Sequence, residues 1–206
     1  MTETVLAFAL TSLVIELTPG PNMAWLAILS VERGRIAGLA AVGGVALGLL
    51  LLGLAAGFGL GTLIAENGWL YETLRWGGIA FLLYLAWDSY KESREPIGQR
   101  DTGERLVVFF RRGLVTNLLN PKAALFYVTV LPNFVVSNGS RSWQSLTLTC
   151  LYVAIATAVH AIIALAGSQL QPVFSTDRAR RTLGVAAAVL LVGIAAWVAF
   201  TTRRMA

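Results

Sequence analysis

The chain has 206 residues, 56% of them hydrophobic and only 13% charged. Soluble domains carry roughly 25% charged residues, so this composition excludes an ordinary soluble enzyme and describes one compact membrane domain. The net charge of +5 would suggest nucleic acid in a soluble chain, but here the basic residues fall in short gaps between apolar stretches, as membrane topology requires.

Six apolar stretches follow in order: about Val5 to Leu29, Ala37 to Ala65, Leu70 to Trp87, Leu114 to Val136, Ser145 to Leu170 and Leu183 to Phe200. Each suffices to cross a hydrocarbon core, which takes about 20 helical residues. The first is read as part of the mature protein. Its leader Met1-Thr2-Glu3-Thr4 has no Lys or Arg, and its apolar run is longer than a signal-peptide core. The second carries Gly38, Gly43, Gly44, Gly48, Gly53, Gly57 and Gly61, spacings that let helices pack closely and leave a homodimer possible. Trp69, Tyr71, Trp87 and Tyr90 bracket the third as interfacial anchors. The lone cysteine, Cys150, permits no internal disulfide or paired-thiol relay and is read as packing.

Orientation follows from the cations. Arg33, Arg35, Lys91, Arg94, Arg100, Arg105, Arg111, Arg112, Arg178, Arg180 and Arg181 occupy the first, third and fifth connections, against Arg75, Arg141, Arg203 and Arg204 on the other side. The positive-inside rule then puts the three basic connections in the cytoplasm and both termini outside. Were the Ala-rich sixth stretch not to span, five spans would remain and Arg203 and Arg204 would move inside. With six, three spans on each side of a polar linker make two inverted repeats: about 1–90, a cytoplasmic linker of about 91–111, and about 112–206. The linker's Phe109-Phe110-Arg111-Arg112 end suits the headgroup layer.

The first and fourth stretches are each interrupted by a helix-restart signal, Thr18-Pro19-Gly20-Pro21-Asn22 and Asn120-Pro121-Lys122. A Thr or Asn side chain can cap free backbone N–H groups, and Pro is tolerated at the first helical position. The expected fold is therefore all-α, with proline-broken first and fourth transmembrane helices, an arrangement that marks transporter binding sites. Glu16 falls midway along the first span, where an ionisable group costs a few kcal/mol unless paired or wet. It is either a structural partner in a wet vestibule or a functional carboxylate for a proton or a substrate ammonium group. Lys122 sits about 15 Å beyond Arg112 if the segment is helical. A cation at a helix start is unfavourable unless an anion sits there too; snorkelling or a salt bridge to Glu16 are the alternatives. The N–H groups of Asn22 and Met23 offer a second carboxylate cradle, and Asn22 and Asn117 add neutral hydrogen-bonding capacity. His160 is either an interhelical hydrogen-bonding residue or a proton carrier. Asp88 needs no functional role. No metal-ligand cluster, nucleophile triad or phosphate-binding loop is present in the sequence.

Four signatures then agree in order and spacing: Leu17 to Asn22, the Gly38 to Gly48 run, Gly78-Ile79-Ala80-Phe81-Leu82-Leu83-Tyr84-Leu85-Ala86-Trp87, and Arg112-Gly113-Leu114-Val115-Thr116-Asn117-Leu118-Leu119-Asn120-Pro121-Lys122-Ala123-Ala124. Together they resemble the LysE/RhtB family of bacterial amino-acid exporters, with one departure at Ala86, where glycine is common. The resemblance implies a bacterial inner-membrane exporter of amino acids or close derivatives, driven by protons, without cofactor or catalysis, its partners being the amino acid, protons and lipid. Taken with the broken helices and buried charges, the substrate is expected at Glu16, Thr18, Pro19, Gly20, Pro21, Asn22, Asn117, Asn120, Pro121 and Lys122, with Glu16 and His160 as proton-coupling candidates. With Glu16 the only central acid, neutral substrates such as homoserine, threonine or leucine are expected. Export of basic amino acids or another small solute or cation is the alternative, and a non-transporting assembly module is a further one.

Overall fold

The computed structural model describes residues 2–18, 20–57, 67–94, 106–135, 140–170 and 176–201. Pro19, Gly61, Arg100, Arg105, Arg203 and Arg204 lie outside the described residues. The described chain is helical, without strands. Its elements are α1 (Thr2–Leu17), α2 (Pro21–Gly57), α3 (Gly68–Ser93), α4 (Leu106–Leu118), α5 (Pro121–Leu125), α6 (Arg141–Gln169) and α7 (Asp177–Thr201). Between α5 and α6, a π-helical turn at Phe126–Val130 and a 3-10 turn at Leu131–Phe134 continue the path of α5.

Three helical segments are long and apolar enough to cross a membrane: Pro21–Gly57, Ser142–Gln169 and Arg181–Phe200. A fourth crossing forms if Leu106–Leu118 and Lys122–Phe134, bent by 53°, count as one broken span. Leu10, Val14, Val189 and Phe200 are exposed on the outer faces of α1 and α7, where hydrocarbon rather than water is the compatible surrounding.

Two expectations about connections are corrected. The first connection, with Arg33 and Arg35, is tighter than expected: two helical limbs meet at the single non-helical residue Gly34 (φ 80°, ψ 179°). That backbone conformation is essentially restricted to glycine, so one residue divides α2 into limbs 21–33 and 35–57. The linker is also shorter than expected, since α4 begins at Leu106 and takes Phe109, Phe110, Arg111 and Arg112 into helix, with Phe109 buried. Arg75, assigned from the sequence to an outer connection, is instead buried inside α3. It pairs with Glu72 at 2.7 Å, donates to the Ala199 carbonyl of α7 and lies over the Trp76 ring. Asp88 on α3 pairs with Arg112 on α4 at 2.7 Å. Cys150 is exposed on α6 rather than packed inside.

α2 packs along both α4 and α6, α1 packs against α6, and α3 packs along α7. The α2–α4 crossing depends on glycines from both sides: a Cβ on Gly44 would overlap the Phe110 carbonyl, and one on Gly113 would overlap the Ala41 carbonyl. Such close backbone approach is how small residues drive association in a membrane. The glycine faces of α2 that include Gly44, Gly48 and Gly53 are thus occupied by other helices of the same chain.

Candidate substrate site

The two helix breaks meet. Asn22, at the start of α2, donates from Nδ2 to Oδ1 of Asn117 on α4 at 2.7 Å. Lys122, at the start of α5, donates from Nζ to the Thr18 carbonyl at 2.8 Å. Its stem passes Gly20, 3.4 Å from where a Cβ there would stand. Residues about a hundred positions apart in the sequence thereby form one polar locus inside the bundle.

The breaks are built differently. At the second, Asn120 is an extended N-cap (φ −83°, ψ 110°) whose Oδ1 accepts from the Lys122 N–H at 3.1 Å, with Pro121 in the first helical turn. That matches the restart logic of the sequence. At the first, Thr18 does not cap: its hydroxyl donates back to the Val14 carbonyl at 3.1 Å. A threonine hydroxyl has this i−4 acceptor available within its own helix. The Thr18 carbonyl is left to face Lys122 instead.

Glu16 is 4% exposed, and both of its carboxylate oxygens are engaged by α6. Tyr152 donates its hydroxyl to Oε1 at 2.6 Å, and His160 Nε2 lies 3.4 Å from Oε2. No hydrogen-bond partner reaches Nδ1 of His160 among the described residues. The Tyr152 ring is held by stacking on Phe126, with centroids 3.7 Å apart, and by an edge contact with Tyr127. The direct Glu16–Lys122 salt bridge allowed by the sequence does not form among the described residues: Glu16 is taken by Tyr152 and His160, and Lys122 by Thr18.

These groups line one cavity. Glu16, Gly20, Asn22, Asn117, Asn120, Lys122 and His160 meet there, joined by Tyr152, Met23, Leu49 and Ala123. The space between these side chains is narrow. An amino acid needs the cavity to open. Among the expected site residues, Thr18 meets the site through its carbonyl, Pro21 is buried at the start of α2, Pro121 opens α5, and Pro19 lies outside the described residues. Tyr152 was missed by sequence reasoning. The signal available was its spacing of eight from His160, which puts the two on one face of a helix.

A model of the family described as LysE type translocator matches residues 13–202. The chain belongs to this family. The translocator is accordingly a membrane transport protein, not an enzyme. It is 29% identical over 146 residues to the homoserine/homoserine lactone efflux protein of Salmonella typhimurium, covering 69% of each chain. It is 30% identical over 171 residues to the uncharacterized membrane protein YahN of Escherichia coli, covering 81% of this chain and 72% of that protein. It is 37% identical over 124 residues to the leucine efflux protein of Salmonella choleraesuis, covering 59% of this chain and 58% of that one. No solved structure matches it.

Proposed function

We propose that the translocator exports neutral amino acids across a bacterial inner membrane by proton-driven alternating access, from a site where the two broken helices meet. The observation that carries this reading is the pairing of unlike charges at facing breaks. Glu16 stands one turn before the first and Lys122 immediately after the second, with Lys122 Nζ already bonded across the gap to Thr18. A zwitterion needs an anionic and a cationic partner a few ångströms apart in a site screened from water, and half-helix starts are how transporters supply part of it. In this reading Lys122, with the Asn22 and Met23 N–H groups that lack in-helix partners by position, takes the substrate carboxylate. Glu16 takes the ammonium group, and Glu16 with His160 exchanges the driving proton. The Lys122 N–H is spent on the Asn120 cap, so the second half-site acts through the lysine side chain. Among the described residues Glu16 is the one acid lining the cavity, which favours neutral over basic substrates. The efflux proteins of Salmonella, whose names specify homoserine and leucine, agree with that class.

The same proposal takes six spans: α1 with limb 21–33, limb 35–57, α3, α4 through Phe134, α6 and α7, in two inverted three-helix repeats with both termini outside. Packing supports it. A twofold axis in the membrane plane would exchange the α1–α6 contact with the α2–α4 contact and map the α3–α7 contact onto itself, and all three are present. With Arg75 inside α3, the outer connections keep only Arg141, Arg203 and Arg204 of the cations counted against that orientation. The test is counterflow of labelled homoserine and leucine in vesicles holding the purified full chain. Acceleration by an imposed proton gradient is expected; counterflow without acceleration would remove the proton coupling alone, and movement of no labelled amino acid would leave the non-transporting assembly module in its place.

A further inference from the structure

Where α2 crosses the start of α4, arginines flank the contact on both helices, and two of them are spent. Arg33 lies over the Phe109 ring, 6.0 Å from its centroid, and Arg112 pairs with Asp88 at 2.7 Å. Arg35 and Arg111 are exposed, and no ion pair reaches either among the described residues. Both stand at the same end of the bundle. The contacts advance together along the two helices, from Arg33 on Phe109 through Ala41 on Gly113 to Gly48 on Asn117, so limb 35–57 and α4 start side by side.

Away from these arginines the surface turns apolar. Arg35, Leu39, Gly43 and Leu47 recur at a spacing of four and form one stripe along α2, with Leu39 and Leu47 exposed. Gly43 keeps the stripe shallow. The Phe110 ring lies 3.5 Å from where a Cβ on Gly43 would stand and carries the surface across to α4, where Val107 and Arg111, also four apart, are exposed. The outcome is an apolar groove with a cation from each helix at one end. Hydrocarbon covers an exposed apolar face in a bilayer, and a guanidinium without a carboxylate partner matches a phosphate by bidentate hydrogen bonding.

We infer that this groove is a binding site for an anionic phospholipid, its headgroup held by Arg35 and Arg111 and an acyl chain lying along Leu39, Gly43 and Leu47. Basic pockets between membrane helices bind such headgroups. A zwitterionic phospholipid brings the same phosphate together with a cation of its own, which the two arginines repel. In the orientation proposed above the site faces the cytoplasmic leaflet. The inference uses the membrane placement of the chain and not the export reading, which its failure would leave standing.

The test titrates the purified full chain in detergent with phosphatidylglycerol and with phosphatidylcholine of the same acyl chains, following the midpoint of thermal unfolding. Phosphatidylglycerol should reach half its effect at a concentration about tenfold lower or more, the consequence of two basic residues acting on one anionic headgroup. Arg35→Gln/Arg111→Gln should bring the two lipids to within about threefold of each other. Arg178→Gln removes an exposed cation from α7 instead and should leave the difference in place. Equal action of the two lipids on the unaltered protein would overturn the inference, as would a preference that survives the double substitution. A loss with Arg178→Gln as large as that of the double variant would replace the site by a diffuse positive field, and inorganic phosphate as effective as phosphatidylglycerol would replace the lipid by a free anion; either result also overturns it.

Discussion

The two helix breaks answer the same sequence signal with opposite constructions. The second is locally self-sufficient: Asn120 caps its own restart and Pro121 opens a helix of only five residues, which passes at once into π and 3-10 turns. The first has no such cap from Thr18, and it leads into limb 21–33 of α2, which stays α-helical up to Gly34. Short segments with irregular hydrogen bonding change conformation at lower cost than a long continuous helix, and π turns recur at functional positions. The second break is thus the shorter and less regular of the two, with Lys122 as its cation.

The largest expected effect follows from that assignment. Lys122→Met removes the cation but keeps a stem of similar length, so α5 should still form and the chain should still insert. If Lys122, half-buried as it stands, holds the substrate carboxylate, losing that charge-assisted contact costs about 1.5–3 kcal/mol, and the half-saturating substrate concentration in counterflow should rise roughly tenfold or more. Unchanged transport would mean that Lys122 merely ties Thr18 to α5. The comparison between the breaks would then be structural only.

Tyr152→Phe probes the opposite wall. The ring should keep its stack on Phe126, while Glu16 loses the donor at 2.6 Å. A hydrogen bond to a charged group contributes about 1.5–3 kcal/mol. The variant should fold and insert normally yet export roughly tenfold or more slowly under a proton gradient. Gradient-driven export at the normal rate would show that Tyr152 contributes its ring to packing and nothing through its hydroxyl.

Much of this arrangement was legible in the sequence because its signals are local. Asn-Pro announced a cap that Asn120 makes, and Glu16 and Lys122 were conspicuous as ionisable residues in apolar stretches. What the chain does over long range was not legible. The Asn22–Asn117 bond spans 95 positions, and nothing near either residue specifies the other. Tyr152 looked like any aromatic in a membrane span, since its role comes from Glu16 on a different helix. The break at Gly34 falls in the connection that Arg33 and Arg35 mark, but a single glycine conformation makes it where a longer loop was expected. Thr18 was misread for a competitive reason: its hydroxyl had a nearer acceptor at Val14 than the N–H groups beyond Pro19.

That last contrast can be measured by itself, and it carries the smallest expected effects. Asn120→Ala removes a cap bonded to the Lys122 N–H at 3.1 Å, and loss of such a cap costs about 1 kcal/mol. Thr18→Ala removes only a hydroxyl bonded back into its own helix, a contact that competes with helical geometry rather than closing a free group. Thermal unfolding of the two purified variants should therefore show a lower midpoint for Asn120→Ala and almost none of that loss for Thr18→Ala. Equal losses would mean that the hydroxyl of Thr18 stabilises the first break after all, and the two breaks would have to be treated as constructions of one kind.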